Sequence, residues 1–516
     1  MFISQVLRRA AQLNPNGVAT IYANRKQSWY EFEKRVARLA AGVRSLRVAD
    51  GDRIAILSLN SDRYLEYFFA IPWAGMVLNP INIRLAPPEI AYAINDSQSS
   101  VLFVDDAFSA MLPILRPLME SVSHVVFMGE GDLPEGCIAY ESLIGQNKPM
   151  ADKSEGGAQL AGLFYTGGTT GRSKGVMLSH DNIVFNALNV VPEMDYGSDT
   201  IYMHAAPMFH LADMASTFAV TMAGGTHGIV PRFDVGDVLS FIEREKITHT
   251  LLVPTMINLL VSSGKISNFD VSSVRRMLYG ASPMPEAVLI IAMEQMPDAR
   301  FAQGYGQTEA SPIITALAPE FHVPGGAKLR SAGRAALGVE VAIMDKDDVE
   351  LPRGEVGEIC ARGPNVMLGY WGMKQASADT LRNGWLHTGD LGYMDKDGFV
   401  FIVDRAKDMI ISGGENIFSV EVEGAIYGHP AVQECAVVGI PHNEWGEMVH
   451  AIVVLKEGHG LNQGELLAHC RALIAGYKLP RSIEFRREPL PVSGAGKILK
   501  NELRRPYWEN KGRGVN

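Results

Sequence analysis

Tyr165-Thr166-Gly167-Gly168-Thr169-Thr170-Gly171-Arg172-Ser173-Lys174-Gly175-Val176 continues the short apolar run Ala161 to Tyr165. Glycines let backbone N–H groups approach an anion closely, and the three threonines add hydroxyl donors around the same concavity. Lys174 supplies a cation on a long stem. This is chemistry for holding a polyphosphate. It is not the Walker pattern GxxxxGK[ST], because Arg172 and Ser173 separate the last glycine from the lysine. The loop therefore points to a nucleotide enzyme outside the P-loop class. On composition alone it also suits a solvated linker.

Upstream of the loop, helix and strand signals alternate. Ser28 and Glu31 make a capping box ahead of an amphipathic stretch that runs to about Leu46. Gly51-Asp52 turns into the strand Ile54–Leu57, a helix follows from Ser61, and Val101–Val104 reads as the next strand. The rhythm continues through Gly162–Thr166, Thr250–Val253, Ser273–Tyr279 and Arg300–Gln303. Apolar strands spaced by helices predict parallel pairing with helices on both faces. After residue 330 short β-type runs alternate with turns such as Asp395-Lys396-Asp397-Gly398. The last hundred residues read as a small α/β unit with a helix from about Gly464 to Ala475, and a boundary is expected near Asp404–Asp408.

The 516 residues exceed one domain. A net charge of −10 without a basic run argues against a nucleic-acid partner. Cys137, Cys360, Cys435 and Cys470 are too scattered for a CxxC metal spacing or a disulfide framework, so a reducing cytoplasm is expected. The apolar run Phe68–Leu78 contains Pro72 and is shorter than the ~20 residues of a membrane span. No signal-peptide pattern follows Arg8 and Arg9, and the C-terminal Gly514-Val515-Asn516 is not a peroxisomal tripeptide.

Four more stretches carry chemistry. Gln303-Gly304-Tyr305-Gly306-Gln307-Thr308-Glu309 offers an aromatic to lie against a base, a hydroxyl, and a hard oxygen for Mg²⁺. Trp385-Leu386-His387-Thr388-Gly389-Asp390 presents Asp390 in a turn. Arg405-Ala406-Lys407-Asp408 leads to Ser412-Gly413-Gly414-Glu415-Asn416. Pro491-Val492-Ser493-Gly494-Ala495-Gly496-Lys497 presents Lys497 on a flexible loop.

In this order and spacing the five stretches resemble the AMP-forming acyl-CoA synthetase (adenylate-forming) superfamily, which includes fatty-acid and aryl-acid CoA ligases, firefly luciferase and peptide-synthetase adenylation domains. The resemblance covers nearly the whole chain. It implies an α/β fold: a large N-terminal domain of doubly wound sheets with a β-rich subdomain (1–404), a hinge at 405–408, and a small mobile C-terminal α+β domain (409–516). It implies ATP, Mg²⁺ and coenzyme A acting on a small carboxylic acid, with a homodimer left open. Thr166, Gly167, Gly168, Thr169, Thr170, Gly171 and Lys174 match the triphosphate loop. Gly280, Ala281, Ser282, Gly304, Tyr305, Gly306 and Thr308 match the adenine and phosphate contacts. Glu309, with Thr166, matches the metal site, and Asp390 and Arg405 match the ribose pair. Lys497 matches the lysine bridging substrate carboxylate and α-phosphate, and Lys407 the hinge. Gly413, Gly414 and Trp445 match the CoA side. Two departures stand out: Gly167 replaces the family's usual serine and Ser173 its proline, which loosens the loop without removing a charge.

Pro207-Met208-Phe209-His210-Leu211 resembles the segment whose histidine borders the acyl pocket of CoA ligases. His210, Met214, Ala281 and Gly304 suggest a roomy apolar slot, and hence a medium- or long-chain fatty acid; an aryl or steroid side-chain carboxylate is the alternative. Asp213 lies three residues after His210, but the pattern is not that of amino-acid adenylation domains. An adenylating enzyme with a non-CoA acceptor also remains open.

Overall fold

The computed structural model describes residues 1–166, 173–405, 407–412, 415–442, 444–494 and 496–509. One mixed sheet of eight strands holds the hairpin of Leu160–Thr166 and Lys174–Ser179 towards one side, and a second of nine strands lies across a shared core. In the first, Arg53–Leu57, Val77–Pro80, Ser99–Val104 and His124–Phe127 run parallel, as the helix–strand alternation predicts. Pairing then reverses. Leu160–Thr166 and Lys174–Ser179 are antiparallel, with Thr166 opposite Lys174. The intervening 167–173 is too short for the dozen or more residues that a parallel crossover needs. The second sheet turns back the same way, because only a short link joins Arg300–Gly306 to the antiparallel Ile313–Leu317.

Helices fill the space between these sheets. Trp29–Ser45 starts at the expected capping box of Ser28 and Glu31. Asp62–Trp73 is buried along every residue. A helix covered all round must pair its charges. Asp62 meets Arg25 at 2.8 Å and Glu66 meets Arg35 at 2.6 Å. Among the described residues no helix is long and apolar enough to cross a membrane.

A third, antiparallel sheet comprises Glu340–Met344, Gly357–Arg362, Leu386–Met394 and Val400–Arg405. The C-terminal unit has its own core, where Val422 and Ile426 of helix Ser419–Tyr427 pack on Val437, Val449 and Val453 of the strand pair Val432–His442 and Gly446–Leu455. Two bounds differ from the sequence reading. The helix expected over 464–475 spans Gln463–Arg471, opened by an Asn462 cap. The strand expected to stop at Gln303 continues to Gly306, so Tyr305 sits in a sheet rather than in a loop.

Candidate active site

The phosphate hairpin closes with Lys174 laid over the ring of Tyr370, 4.7 Å from its centroid. The Tyr370 hydroxyl donates to Glu309 Oε1 at 2.8 Å. Lys174, Tyr370 and Glu309 thus stand in one row, and the other Glu309 carboxylate oxygen makes no hydrogen bond to the described residues. A half-buried carboxylate held at one oxygen, close to a phosphate hairpin, fits a hard cation. Thr166 is half-buried at the hairpin end. Gly167, Gly168, Thr169, Thr170 and Gly171 lie outside the described residues. Tyr370 had no place in the sequence reading; its only signal was an aromatic pair, Tyr370-Trp371, set between two glycines.

The second wall is bare backbone. Gly280 pairs with Gly304 across neighbouring strands, and a Cβ on Gly280 would overlap the Gly304 carbonyl. One on Gly306 would overlap the carbonyl of Pro312. Ala281 follows at φ +65°, in the left-handed region that a side chain rarely adopts. Ala281 is exposed, and Ser282, Thr308 and Glu309 are half-buried.

The third wall joins the sheets to the hinge. The Tyr305 hydroxyl donates to Asp390 Oδ2 at 2.9 Å, and Arg405 Nε lies 3.0 Å from Asp390 Oδ1. Asp390 and Arg405 are direct cross-strand partners. Each Asp390 oxygen keeps a lone pair for a further donor. Burial disfavours the Arg405 charge, but Asp390 and Asp408 outweigh it, and the guanidinium is held more firmly protonated than usual.

Lys497 arrives from the C-terminal unit. Its loop folds on itself, with Ser493 N–H donating to Lys497 O at 2.7 Å and Lys497 N–H to Ser493 Oγ at 3.1 Å. It also touches the large domain. Arg84 Nη1 donates to Ser493 O at 3.1 Å, and a Cβ on Gly496 would stand 3.0 Å from Thr255 Oγ1. The Lys497 amine is pushed down to about 8, first by burial and then by Arg405, against the pull of Asp390 and Asp408. Lys407, half-buried, is also lowered by burial and by Arg405. Lys497 therefore faces the Asp390–Arg405 pair. Trp445 stacks on His442, 4.4 Å between centroids, with Arg481 over its ring. Gly413 and Gly414 lie outside the described residues.

On the acyl side, His210 caps helix Leu211–Ala223, its Nδ1 accepting from Ala212 N–H at 3.2 Å. Burial pushes it down to about 4, so the ring is neutral at neutral pH. Asp213 is wholly buried and turned to the core: Tyr202 donates to Oδ1 at 2.9 Å, and His204 Nδ1 lies 2.6 Å from Oδ2. That removes the candidate partner for an α-ammonium group. A narrow apolar cleft runs between helix His180–Met194 and strand Arg300–Gly306, lined by Val190, Met194, Leu278, Gly304 and Ile313. Gly304, one of the expected acyl residues, lines it. Met214 is 1% exposed and points into the core, because the first turn of its helix packs between the sheets.

A model of the family described as AMP-binding enzyme matches residues 7–371, and one described as AMP-binding enzyme C-terminal domain matches 421–497. Feruloyl-CoA synthase of an Amycolatopsis species is 40% identical over 500 residues, 97% of this chain and 98% of that protein. A fatty acid–[acyl-carrier-protein] ligase of Streptomyces coeruleorubidus is 34% identical over 513 residues, 98% of this chain and 96% of the other. Among solved structures, the anthranilate CoA ligase AuaEII with anthranoyl-AMP superposes with a TM-score of 0.91 at 26% identity, covering 98% of this chain and 97% of that one.

Proposed function

The chain belongs to the AMP-binding enzymes as an ATP-dependent acyl- or aryl-CoA ligase, and from that premise we propose that its acid is an arylalkenoic or similar aryl carboxylate rather than a long fatty acid. The observation that carries this is the narrow apolar cleft beside Gly304, lined by Val190, Met194, Leu278 and Ile313, where a Cβ on Gly304 would stand 2.9 Å from Ile313 Cδ1. A planar ring fits such a space better than a coiled chain. The feruloyl-CoA synthase relative supports the same choice. CoA consumption over ferulate, 4-coumarate, benzoate, indoleacetate, octanoate and palmitate tests it. We expect the highest kcat/KM with a hydroxycinnamate; a maximum at palmitate would overturn the reading.

The chemistry follows from charge. The carboxylate attacks the α-phosphorus of ATP; an O–P bond forms as the bond from that phosphorus to the α,β-bridging oxygen breaks, and pyrophosphate leaves with the bridging oxygen and its electron pair. Two anions must meet. Lys497, presented beside Asp390 and Arg405, would neutralise the crowded transition state by preorganised electrostatics. Asp390 would accept from the ribose hydroxyls, and Lys174 with the glycine–threonine loop would hold the departing pyrophosphate. Mg²⁺, held at Glu309 and Thr166, would add charge neutralisation on the phosphates. The acyl-AMP then needs protection from water. Rotation at Lys407 would withdraw Lys497 and bring Gly413, Gly414 and Trp445 round for CoA, whose thiolate attacks the carbonyl and releases AMP. His210, neutral and fixed as a cap, would border the acid without titrating.

A further inference from the structure

We propose that Glu358, Cys360 and His387 form a site for a thiophilic divalent cation of the zinc type, and that filling it loosens nucleotide binding. Cys360 and His387 face each other across neighbouring strands. Cys360 Sγ lies 3.3 Å from His387 Nδ1, which lies 2.8 Å from Glu358 Oε2. One donor atom from each residue falls within 4.8 Å of the other two. Sulfur, imidazole nitrogen and carboxylate oxygen are the donors that zinc takes, at about 2.3, 2.0 and 2.0 Å. Tetrahedral angles then space the donors by about 3.3–3.6 Å, so the two contacts to His387 Nδ1 need open only slightly.

A second observation concerns the far side of the ring. His387 Nε2 is buried without a hydrogen-bond partner, and Asp348 Oδ1 stands 3.7 Å from it. When Nδ1 binds a cation the remaining ring proton sits on Nε2, where Asp348 can accept it. Carboxylates hold metal-bound histidines in this way. The thiol proton leaves to solvent as the Cys360 thiolate ligates. Glu358 is partly exposed, so the cation enters past it and water completes the fourth position.

The coupling runs through one carboxylate. Glu358 Oε1 accepts Gly389 N–H at 2.9 Å, pinning the turn directly before Asp390. Ligation at Oε2 draws Glu358 off that bond and off Arg382, 3.3 Å away. The Asp390 geometry then relaxes. This half of the proposal rests on Asp390 holding the ribose.

Titration of the full chain with Cd²⁺ alone tests the site. A thiolate-to-metal absorption band saturating at one equivalent is expected in the wild type and in Cys137→Ser, and is expected to be absent from Cys360→Ser. No band, or a band that survives Cys360→Ser, overturns the site. Because Cys360→Ser could fail to fold, His387→Gln gives a second reading: Cd²⁺ should raise Tm in the wild type and leave that of His387→Gln unchanged, and an equal rise in both overturns it. AMP affinity measured with and without Cd²⁺ should fall several-fold in the wild type; unchanged affinity with a full band overturns the coupling alone.

Discussion

Lys497 sits where its charge is least welcome, half-buried with Arg405 and Lys407 acting on it. Its replacement by alanine is expected to slow adenylation by about 10²–10³-fold, while thioester formation from supplied acyl-AMP stays near normal. Pyrophosphate exchange and single-turnover thioester assays separate the two; equal losses would show that the lysine acts elsewhere. The amine also sets a pH limit. In the folded protein it loses its proton as pH rises through about 8, against an ordinary 10.5. Kcat/KM for adenylation should therefore fall above pH 8, and Lys497→Arg, slower overall, should lack that fall. The linked stability has the opposite sense: the cost of burying the ammonium is present below pH 8 and is relieved between 8 and 10.5. Tyr370→Phe removes the hydroxyl that orients Glu309, and KM for Mg-ATP should rise several-fold with little change in Tm.

At the scale of elements, the strand Arg300–Gly306 makes a contrast that mutagenesis can read. Gly306→Ala puts a Cβ into the Pro312 carbonyl, which cannot yield, and should cost about 1–3 kcal/mol of stability. Gly304→Ala meets the flexible tip of Ile313 and should fold. It should then favour smaller acids, and Ile313→Ala should admit bulkier ones; specificity ratios across the acid panel check both. Much of this region was legible in the sequence. The glycine spacing, the Thr–Gly loop and the order of Asp390, Arg405 and Lys497 carry their meaning in residue identity. The width of the cleft does not, because it depends on where Ile313 lands after an antiparallel turn. Nor did Tyr370 stand out, since its bond to Glu309 joins residues 61 apart in sequence. Reversal of strand pairing escaped periodicity for a related reason: link length, not apolar pattern, decides it.

Across the whole molecule, the C-terminal unit meets the large domain through modest contacts, among them Arg84 to Ser493 and Gly496 beside Thr255. Arg84→Ala should weaken this docking by about 0.5–1.5 kcal/mol, slowing adenylation up to roughly tenfold and sparing the thioester step; an equal effect on both would refute that the contact belongs to one orientation. Within the same unit, Trp445 has its ring contacts with His442 and Arg481, not with Lys497. The residues proposed for the two half-reactions thus ride on one small body. Such a body is a turnstile. On the proposed hinge it would admit ATP and acid or the thiol in turn, and the order of events would then lie in the linkage rather than in affinities. Steady-state patterns should accordingly be ping-pong, with pyrophosphate gone before CoA commits.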